Sequence, residues 1–269
     1  MQQTPRWIAG RSAEGFRSMR SVLDLDPELG ESLEPETRRI ARAASVALTF
    51  QADAGEIRLR PWLGRVGSGL GLLLVDGIIV ADVGVAGRVA AELIGGGDLL
   101  APPAAGEDEL LTHTIRWRAL APTRIAFLDE AFARRIRFWP PVTAALLRRI
   151  AQRTRDLNVQ RAIAAQPRLE VRLTLLLWHL ATRWGKVEAS GIKLPLPLTH
   201  HLLGRLIAAE RPSVSHALAR LAQAGLVTGH GDEWHLHGSL DHHLEALGDR
   251  SHTVVQGLGF AARGIASRA

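Results

Sequence analysis

Residues 199–237 read THHLLGRLIAAERPSVSHALARLAQAGLVTGHGDEWHLH, two short amphipathic stretches joined by a tight turn and followed by a third, β-prone one. Thr199 can cap a helix, because its hydroxyl accepts a backbone N–H of the first turn. Leu202, Leu203, Leu206 and Ile207 then recur at helical spacing as one apolar stripe. That helix is expected to end in Ala208-Ala209-Glu210. Pro212 stands where a second helix begins, a position that needs no N–H donor. Val214, Leu218 and Leu221 line one face of it, which leaves Arg211, Ser215, His216 and Arg220 pointing outward. Gly225 is the expected left-handed stop. Leu226-Val227 and Trp234-His235-Leu236 read as two short strands around the turn His230-Gly231-Asp232. Two short helices followed by a hairpin make a winged helix-turn-helix, whose second helix enters the major groove of double-stranded DNA. A plain amphipathic helical hairpin is the simpler alternative. Gly225-Leu226-Val227 and a wing ending in Trp234 argue against it.

The composition narrows the function classes. The chain has 269 residues, 46% of them hydrophobic, enough for two domains with their own cores. It has no cysteine, which excludes disulfides, thiolate catalysis and cysteine-ligated iron–sulfur or zinc sites. The N-terminal MQQTPRWIAGRSAEGF lacks a signal-like apolar core, and the longest apolar runs are broken by Asp76. A cytoplasmic protein with no membrane partner is expected. The net charge is +6, and residues 134–168 carry nine arginines (134, 135, 137, 148, 149, 153, 155, 161 and 168) against the single acid Asp156. Such a run suits phosphate contacts or the solvated face of a long helix, and both readings stand at this point. Ten of the eleven histidines lie after residue 178, so the C-terminal half can gain charge in mild acid.

Upstream, residues 1–20 read as a loose arm and Asp24–Ala44 as helical, with Pro27 and Pro35 at helix starts. From Ser45 the pattern turns to β. Val46–Phe50, Glu56–Arg60, Gly71–Val75, Ile78–Val83, Arg88–Ile94, His113–Leu120 and Thr123–Leu128 are short β-prone runs. Asp76-Gly77 between two of them is a hairpin signal, and Gly95-Gly96-Gly97 is a turn with no Gly-Lys-[Ser/Thr] after it. The series predicts a β-barrel or jelly roll. Glu130–Arg137 is a short helix, and Pro140-Pro141 opens a long one running to about Gln166. Its seam of Val142, Leu146, Ile150, Leu157 and Ile163 suits pairing with a second copy, since helix-turn-helix proteins read two half-sites as dimers; packing on its own barrel is the alternative. Pro167–Trp184 is a leucine-rich helix, and Ile192–Leu196 an extended lead-in. The fold class is therefore α+β, with a barrel at 21–135, a dimerisation helix at 136–166 and a winged helix-turn-helix at 167–240.

In this order the chain resembles the Crp/Fnr family of transcription regulators over residues 21–240. The resemblance rests on Leu72–Val75 into Asp76-Gly77, Gly97-Asp98-Leu99-Leu100, Ala119-Leu120-Ala121 before Ile125–Leu128, the long helix, Leu194-Pro195-Leu196, and Arg211–Leu221 with Gly225-Leu226-Val227. It implies a cyclic-nucleotide-binding-like barrel, a homodimer and a palindromic operator. The family's recognition helix starts Arg-Glu-x-Val-x-Arg; here it reads Arg211-Pro212-Ser213-Val214-Ser215-His216. Arg211 is the implied partner of a guanine edge, and Thr199 the implied phosphate contact. Pro212 and His216 replace the family's glutamate and second arginine, which implies a different operator. Ser213, Ser215 and Arg220 complete the candidate DNA-binding set.

The sensor half departs further. The family's Gly-Glu-[Leu/Ile]-Ala is missing around residues 101–109, and Glu107-Asp108-Glu109 would repel a phosphate. His113 stands where the phosphate-binding arginine belongs, with Thr114, Arg116 and Arg118 close by as the candidate effector pocket. Cyclic-nucleotide binding in the family's usual way is therefore not expected, and no cofactor is assigned. The pairs His200-His201, His235-x-His237 and His242-His243 lack the company of a metal site, so no metal is expected. No nucleophile sits in a recognisable elbow, so an enzyme is not expected. Two alternatives remain beside a regulator: a small-molecule-binding module without DNA affinity, and a constitutive DNA-binding dimer whose ligand-free barrel holds the fold or touches RNA polymerase.

Overall fold

The computed structural model describes residues 17–101 and 111–248, and the chain divides into two compact units, one up to Val159 and one from Gln160. The first unit opens with strand β1 (Arg17–Ser21), where a loose arm was expected. The arm's first sixteen residues lie outside the described ones. Helices α1 (Val22–Leu25) and α2 (Pro35–Ala44) flank a 3-10 turn at Pro27–Gly30. Both prolines sit at helix starts, as their fixed φ favours. Then come β2 (Val46–Ala52), β3 (Gly55–Ile57), helix α3 (Arg60–Val66), β4 (Gly71–Asp76), β5 (Ile78–Val85), β6 (Arg88–Gly95), β7 (Leu99–Leu100), β8 (His113–Ala119) and β9 (Thr123–Leu128). Helices α4 (Glu130–Ile136) and α5 (Pro140–Ala164) follow, and the boundary between the units falls within α5.

The strands form two antiparallel sheets, ordered β1-β2-β9-β4-β7 and β3-β8-β5-β6. One core lies between them. Phe50, Leu72, Leu74, Ile125 and Phe127 come from the first sheet and Ile79, Ala81, Ile94 and Trp117 from the second. A second core covers the outer face of the first sheet, where Leu73, Leu99, Ala126 and Leu128 meet Leu23, Leu29, Phe132, Val142 and Leu146 of the helical layer. Residues 72–74 and 125–128 are therefore apolar without alternation, because both faces of β4 and β9 are buried.

Two local expectations fail here. Asp76-Gly77 is no hairpin: β4 and β5 lie in different sheets, and the chain crosses between them. Gly77 takes φ +91°, and a Cβ there would stand 2.3 Å from Thr123 Cγ2. The hairpin is Ala86-Gly87, where both residues have positive φ (47° and 77°) and join β5 to β6 as a two-residue turn. Glu56–Arg60 is likewise not one strand. Pro61 in the first turn of α3 ends the extended run, and the helix brings Trp62 against Phe50 and Phe127, with ring centroids 4.7 to 5.5 Å apart.

The apolar seam of α5 turns out to be occupied. Val142 and Leu146 are buried in the first unit's outer core, and Ile150 packs against it. Arg149 bonds Glu28 at 2.8 Å and Asp26 at 3.3 Å, and Arg153 grips both carboxylate oxygens of Glu92 at 2.6 and 2.8 Å. Burial works against the charge of Arg153, but the Glu92 bonds more than offset it and hold its pKa above the ordinary value. Burial lifts the Asp26 carboxyl above its usual range, and Arg149 opposes this only in part.

The second unit holds α6 (Leu169–Trp184), β10 (Lys186–Glu188), β11 (Gly191–Leu194), α7 (His200–Leu206), α8 (Arg211–Gln223), β12 (Val227–His230), β13 (Glu233–His237) and α9 (Leu240–Ala246). Its sheet runs β10-β11-β13-β12. Leu173, Leu176, Leu177 and Leu180 of α6 are buried, and α6 packs on α8. The apolar stripes of α7 and α8 are buried as their spacing predicts: Leu202, Leu203, Leu206, Val214, Leu218 and Leu221. The first helix is shorter than expected. It stops at Leu206, and Ala208 turns the chain with φ +55°. Gly204 permits this turn, since a Cβ there would meet the Ala209 carbonyl oxygen at 2.4 Å.

Candidate nucleic-acid interface

The first element of the site is a cap. The Thr199 hydroxyl accepts the Leu202 N–H at 3.1 Å and starts α7. Glu210 stands at the N-cap of α8 and Pro212 in its first turn; Gly225 ends the reversal after the helix with φ +69°. Val214, Ala217, Leu218 and Leu221 are buried, so at 100° per residue the outward face centres on Pro212, His216 and Ala219. Arg211 and Ser215 lie on one flank of that face, Ser213 and Arg220 on the other.

The six candidate residues differ in what they have left to offer. Arg211, Ser213 and His216 are exposed, and the side chains of all three are without hydrogen-bond or ion-pair partners among the described residues. The hydroxyl of Thr199 is engaged in capping. Ser215 donates to the Arg211 carbonyl at 3.1 Å and meets Nδ1 of His200 at 2.8 Å. Arg220 is ion-paired with Glu170 of α6. Sequence reading missed both partners, because each comes from another helix. The first-turn position of His200, directly after the cap, was the one available hint.

The wing is β12 and β13 joined through Gly231-Asp232. Gly229 lies under the Trp234 ring, where a Cβ would sit 3.1 Å from the ring edge. Lys193 of β11 bonds Glu233 at 2.7 Å; that bond raises the lysine's pKa and lowers the glutamate's. A cleft of about 420 Å³ runs between α8 and the wing, and Thr199, His200, Ser215, Gly229, Asp232 and Trp234 line it. Behind the wing, His243 of α9 is buried. Its Nε2–H donates to the His237 carbonyl at 2.6 Å, and its Nδ1 accepts from the Trp178 indole at 3.3 Å. Burial pushes its pKa below the ordinary imidazole value, and the His237 bond opposes this.

The candidate effector pocket does not assemble. On β8, Trp117 and Ala119 face the core, so His113 shares their side of the sheet while Thr114, Arg116 and Arg118 face outward and are exposed. The four cannot line one cavity. The acids at 107–109 lie outside the described residues. The basic run is mostly engaged within the protein. Besides Arg149 and Arg153, Arg135 bonds the Ala44 and Val46 carbonyls, Arg134 pairs with Glu130, and Arg168 bonds the Leu247 carbonyl. Among the described residues there is no group of three metal-ligating side chains, and no helix is long and apolar enough to cross a membrane.

Comparison with known proteins matches residues 171–237 to the Crp-like helix-turn-helix domain. Over about three quarters of its length the chain shares its fold with solved structures of CRP-type regulators. It is similar to a CooA variant from Carboxydothermus hydrogenoformans, with a TM-score of 0.59 and 17% identity over 73% of this chain and 86% of that one. It is similar to a CRP-family regulator from Thermus thermophilus, with a TM-score of 0.54 and 20% identity over 74% and 96%. A protein from Listeria monocytogenes EGD-e that contains a cyclic nucleotide-binding domain aligns with a TM-score of 0.59 and 15% identity over 79% and 97%. No curated protein matches the chain in sequence. The expected resemblance and the α+β architecture hold. In the matched segment Arg211–Gln223 follows α6 and α7 and is the second helix of the helix-turn-helix pair, with its outer face open.

Proposed function

We propose that the protein is a cytoplasmic, non-enzymatic transcription regulator that binds a palindromic operator as a homodimer. The observation that carries this is the exposed face of α8, with Arg211, Ser213 and His216 uncommitted at the start of the second helix of the helix-turn-helix pair, in a segment that matches the Crp-like model. Arg211 reads a guanine edge, the commonest specific contact of an arginine in the major groove. Thr199 and Ser213 contact backbone phosphate, and His216 faces the base edges from the centre of the helix. Arg220 is held by Glu170 and is not counted among the base contacts.

The dimer reading changes face. With Val142 and Leu146 occupied, the pairing surface on α5 is the exposed stripe Ala144, Leu147, Ala151, Thr154, Asn158 and Ala162, spaced by three and four residues. Leu147 is 59% exposed, unusual for a leucine in mid-helix. The test is binding-site selection on random duplexes with the purified chain. A palindromic consensus supports both operator reading and two-fold symmetry; an unselected pool excludes the regulator.

One observation favours the constitutive form of this function. Phe50, Trp62 and Phe127 pack on one another at the core between the two sheets. The barrel then holds the fold or touches RNA polymerase, and operator binding needs no effector. A silent calorimetric titration with cyclic nucleotides, alongside intact DNA binding, supports this form. Binding heat with an effect on operator affinity excludes it.

A further inference from the structure

Resting on the homodimer reading above, we infer that Phe138 of each copy seats in an apolar groove of its partner, between α4 and α5, and that this exchange completes the dimer. A groove of about 420 Å³ runs along that helix pair, lined by Leu70, Ala133, Ile136, Pro140, Ala144 and Leu147. An apolar cavity of roughly 150 Å³ is enough for a benzene ring, so the groove takes a phenyl side chain with space to spare. Phe138 lies between Ile136 and Pro140 in the sequence, yet it does not line the groove of its own chain, and its ring is 68% exposed. Among the described residues no other phenylalanine or tryptophan is exposed. The Arg137 guanidinium lies 4.6 Å from the ring centroid, and the Trp139 ring meets it edge-on at 6.3 Å. These two neighbours hold the ring at the surface and leave its outer part bare.

The area that a dimer needs points to a second copy as the occupant. A stable interface buries about 800 Å² per partner, drawn from about 20–30 residues a side. The exposed stripe of α5 offers six residues, of which three are alanines and only Leu147 is a large apolar side chain. The stripe falls short by itself, and the missing area has to adjoin it. The groove does adjoin it, because Ala144 and Leu147 belong both to the stripe and to the groove lining. Pairing about a two-fold axis along α5 sets each residue level with its twin. Phe138, two residues before α5 begins at Pro140, is then level with the partner's groove, whose helical lining runs from Ala133 to Leu147. Arg137 is the one charged residue of that lining, and it already carries a phenyl ring on its guanidinium, so it is compatible with a second one. An aromatic ring in an apolar pocket beside a seam of small residues is the kind of anchor that carries most of an interface's energy.

The experiment is sedimentation of the full chain over a concentration series. The wild type should dimerise. Phe138→Ala should weaken the dimer about a thousandfold, since one aromatic anchor is worth about thirtyfold and each dimer loses two. The side chain is exposed in the single chain, so the far-ultraviolet spectrum should not change. Ala133→Phe fills the groove from within and should weaken the dimer by about the same factor. If Ala133→Phe does not fold, Thr143→Phe blocks the same groove. The double variant should dimerise no worse than Phe138→Ala alone, because a blocked groove then has no ring to exclude. Removal of residues 1–16 should leave the dimer as it is. Wild-type affinity in Phe138→Ala overturns the inference and leaves pairing to the α5 stripe. Additive losses in the double variant overturn it too, as does a dimer lost with residues 1–16, which assigns the groove to that segment. A wild type that stays monomeric at every concentration brings down the homodimer reading itself.

Discussion

Arg153 and Arg211 stand on two helices of the same chain, and their surroundings are opposite. Arg153 of α5 is largely buried, with both oxygens of Glu92 on its guanidinium. Arg211 opens α8 in solvent, with no partner among the described residues. The first unit uses its arginines to tie elements together: Arg135 reaches backbone carbonyls, and Arg149 reaches Asp26 and Glu28. The second unit leaves the start of its exposed helix unsatisfied. A positive residue without an internal partner is available to an external anion, so a count of arginines alone does not locate a DNA surface.

The contrast can be broken most strongly in the first unit's core. Phe127→Ala removes a ring packed on Phe50 and Trp62 and should cost about 3–5 kcal/mol of unfolding free energy. Chemical denaturation that follows the two units separately should show the loss in the first unit's transition only. Arg153→Ala comes next. It leaves the Glu92 carboxylate, 13% exposed, without its partner and should cost about 2–3 kcal/mol, below the fully buried figure because Arg153 keeps some solvent. The same assay reads it, and operator affinity of the folded fraction should be unchanged.

Arg211→Ala should do the reverse. Its stability should stay within about 0.5 kcal/mol of wild type, while specific binding weakens by about 1–3 kcal/mol. Equal effects of the two arginine variants on stability would erase the comparison. The smallest effect concerns acid. His243 is held neutral in the folded chain, below its ordinary pKa, so the unfolded chain binds more protons as pH falls under about 6.5. Its contribution is therefore complete above about pH 6.5 and is lost on acidification through the folded-state value. Denaturation of the second unit at pH 8 and pH 5 should show this loss, and His243→Phe should remove the difference.

The helix-turn-helix was legible because its signals are local. Thr199 caps through its neighbour's N–H, Gly225 reverses the chain by its own φ, and the apolar stripes of α7 and α8 record burial at helical spacing. The hairpin at Asp76-Gly77 misled for the same reason. The dipeptide permits a tight turn, but whether the next strand pairs back or crosses to the other sheet depends on partners far along the chain. Pro61 marked a helix start that a β-prone surrounding run concealed.

By itself, the order of residues determined most of the helices and strands, though not β1 or α3, the helix-turn-helix with its hairpin, and which face of α8 is apolar. These follow from periodicity, caps and turns, whose energies act over a few residues. Only the tertiary structure decided which polar groups are still available. It gave Ser215 to His200, Arg220 to Glu170 and Arg153 to Glu92, set Thr114, Arg116 and Arg118 on the opposite face from His113, and turned the seam of α5 inward. Hydrogen bonds and ion pairs between distant elements depend on where the backbone brings them, and no local pattern encodes that position.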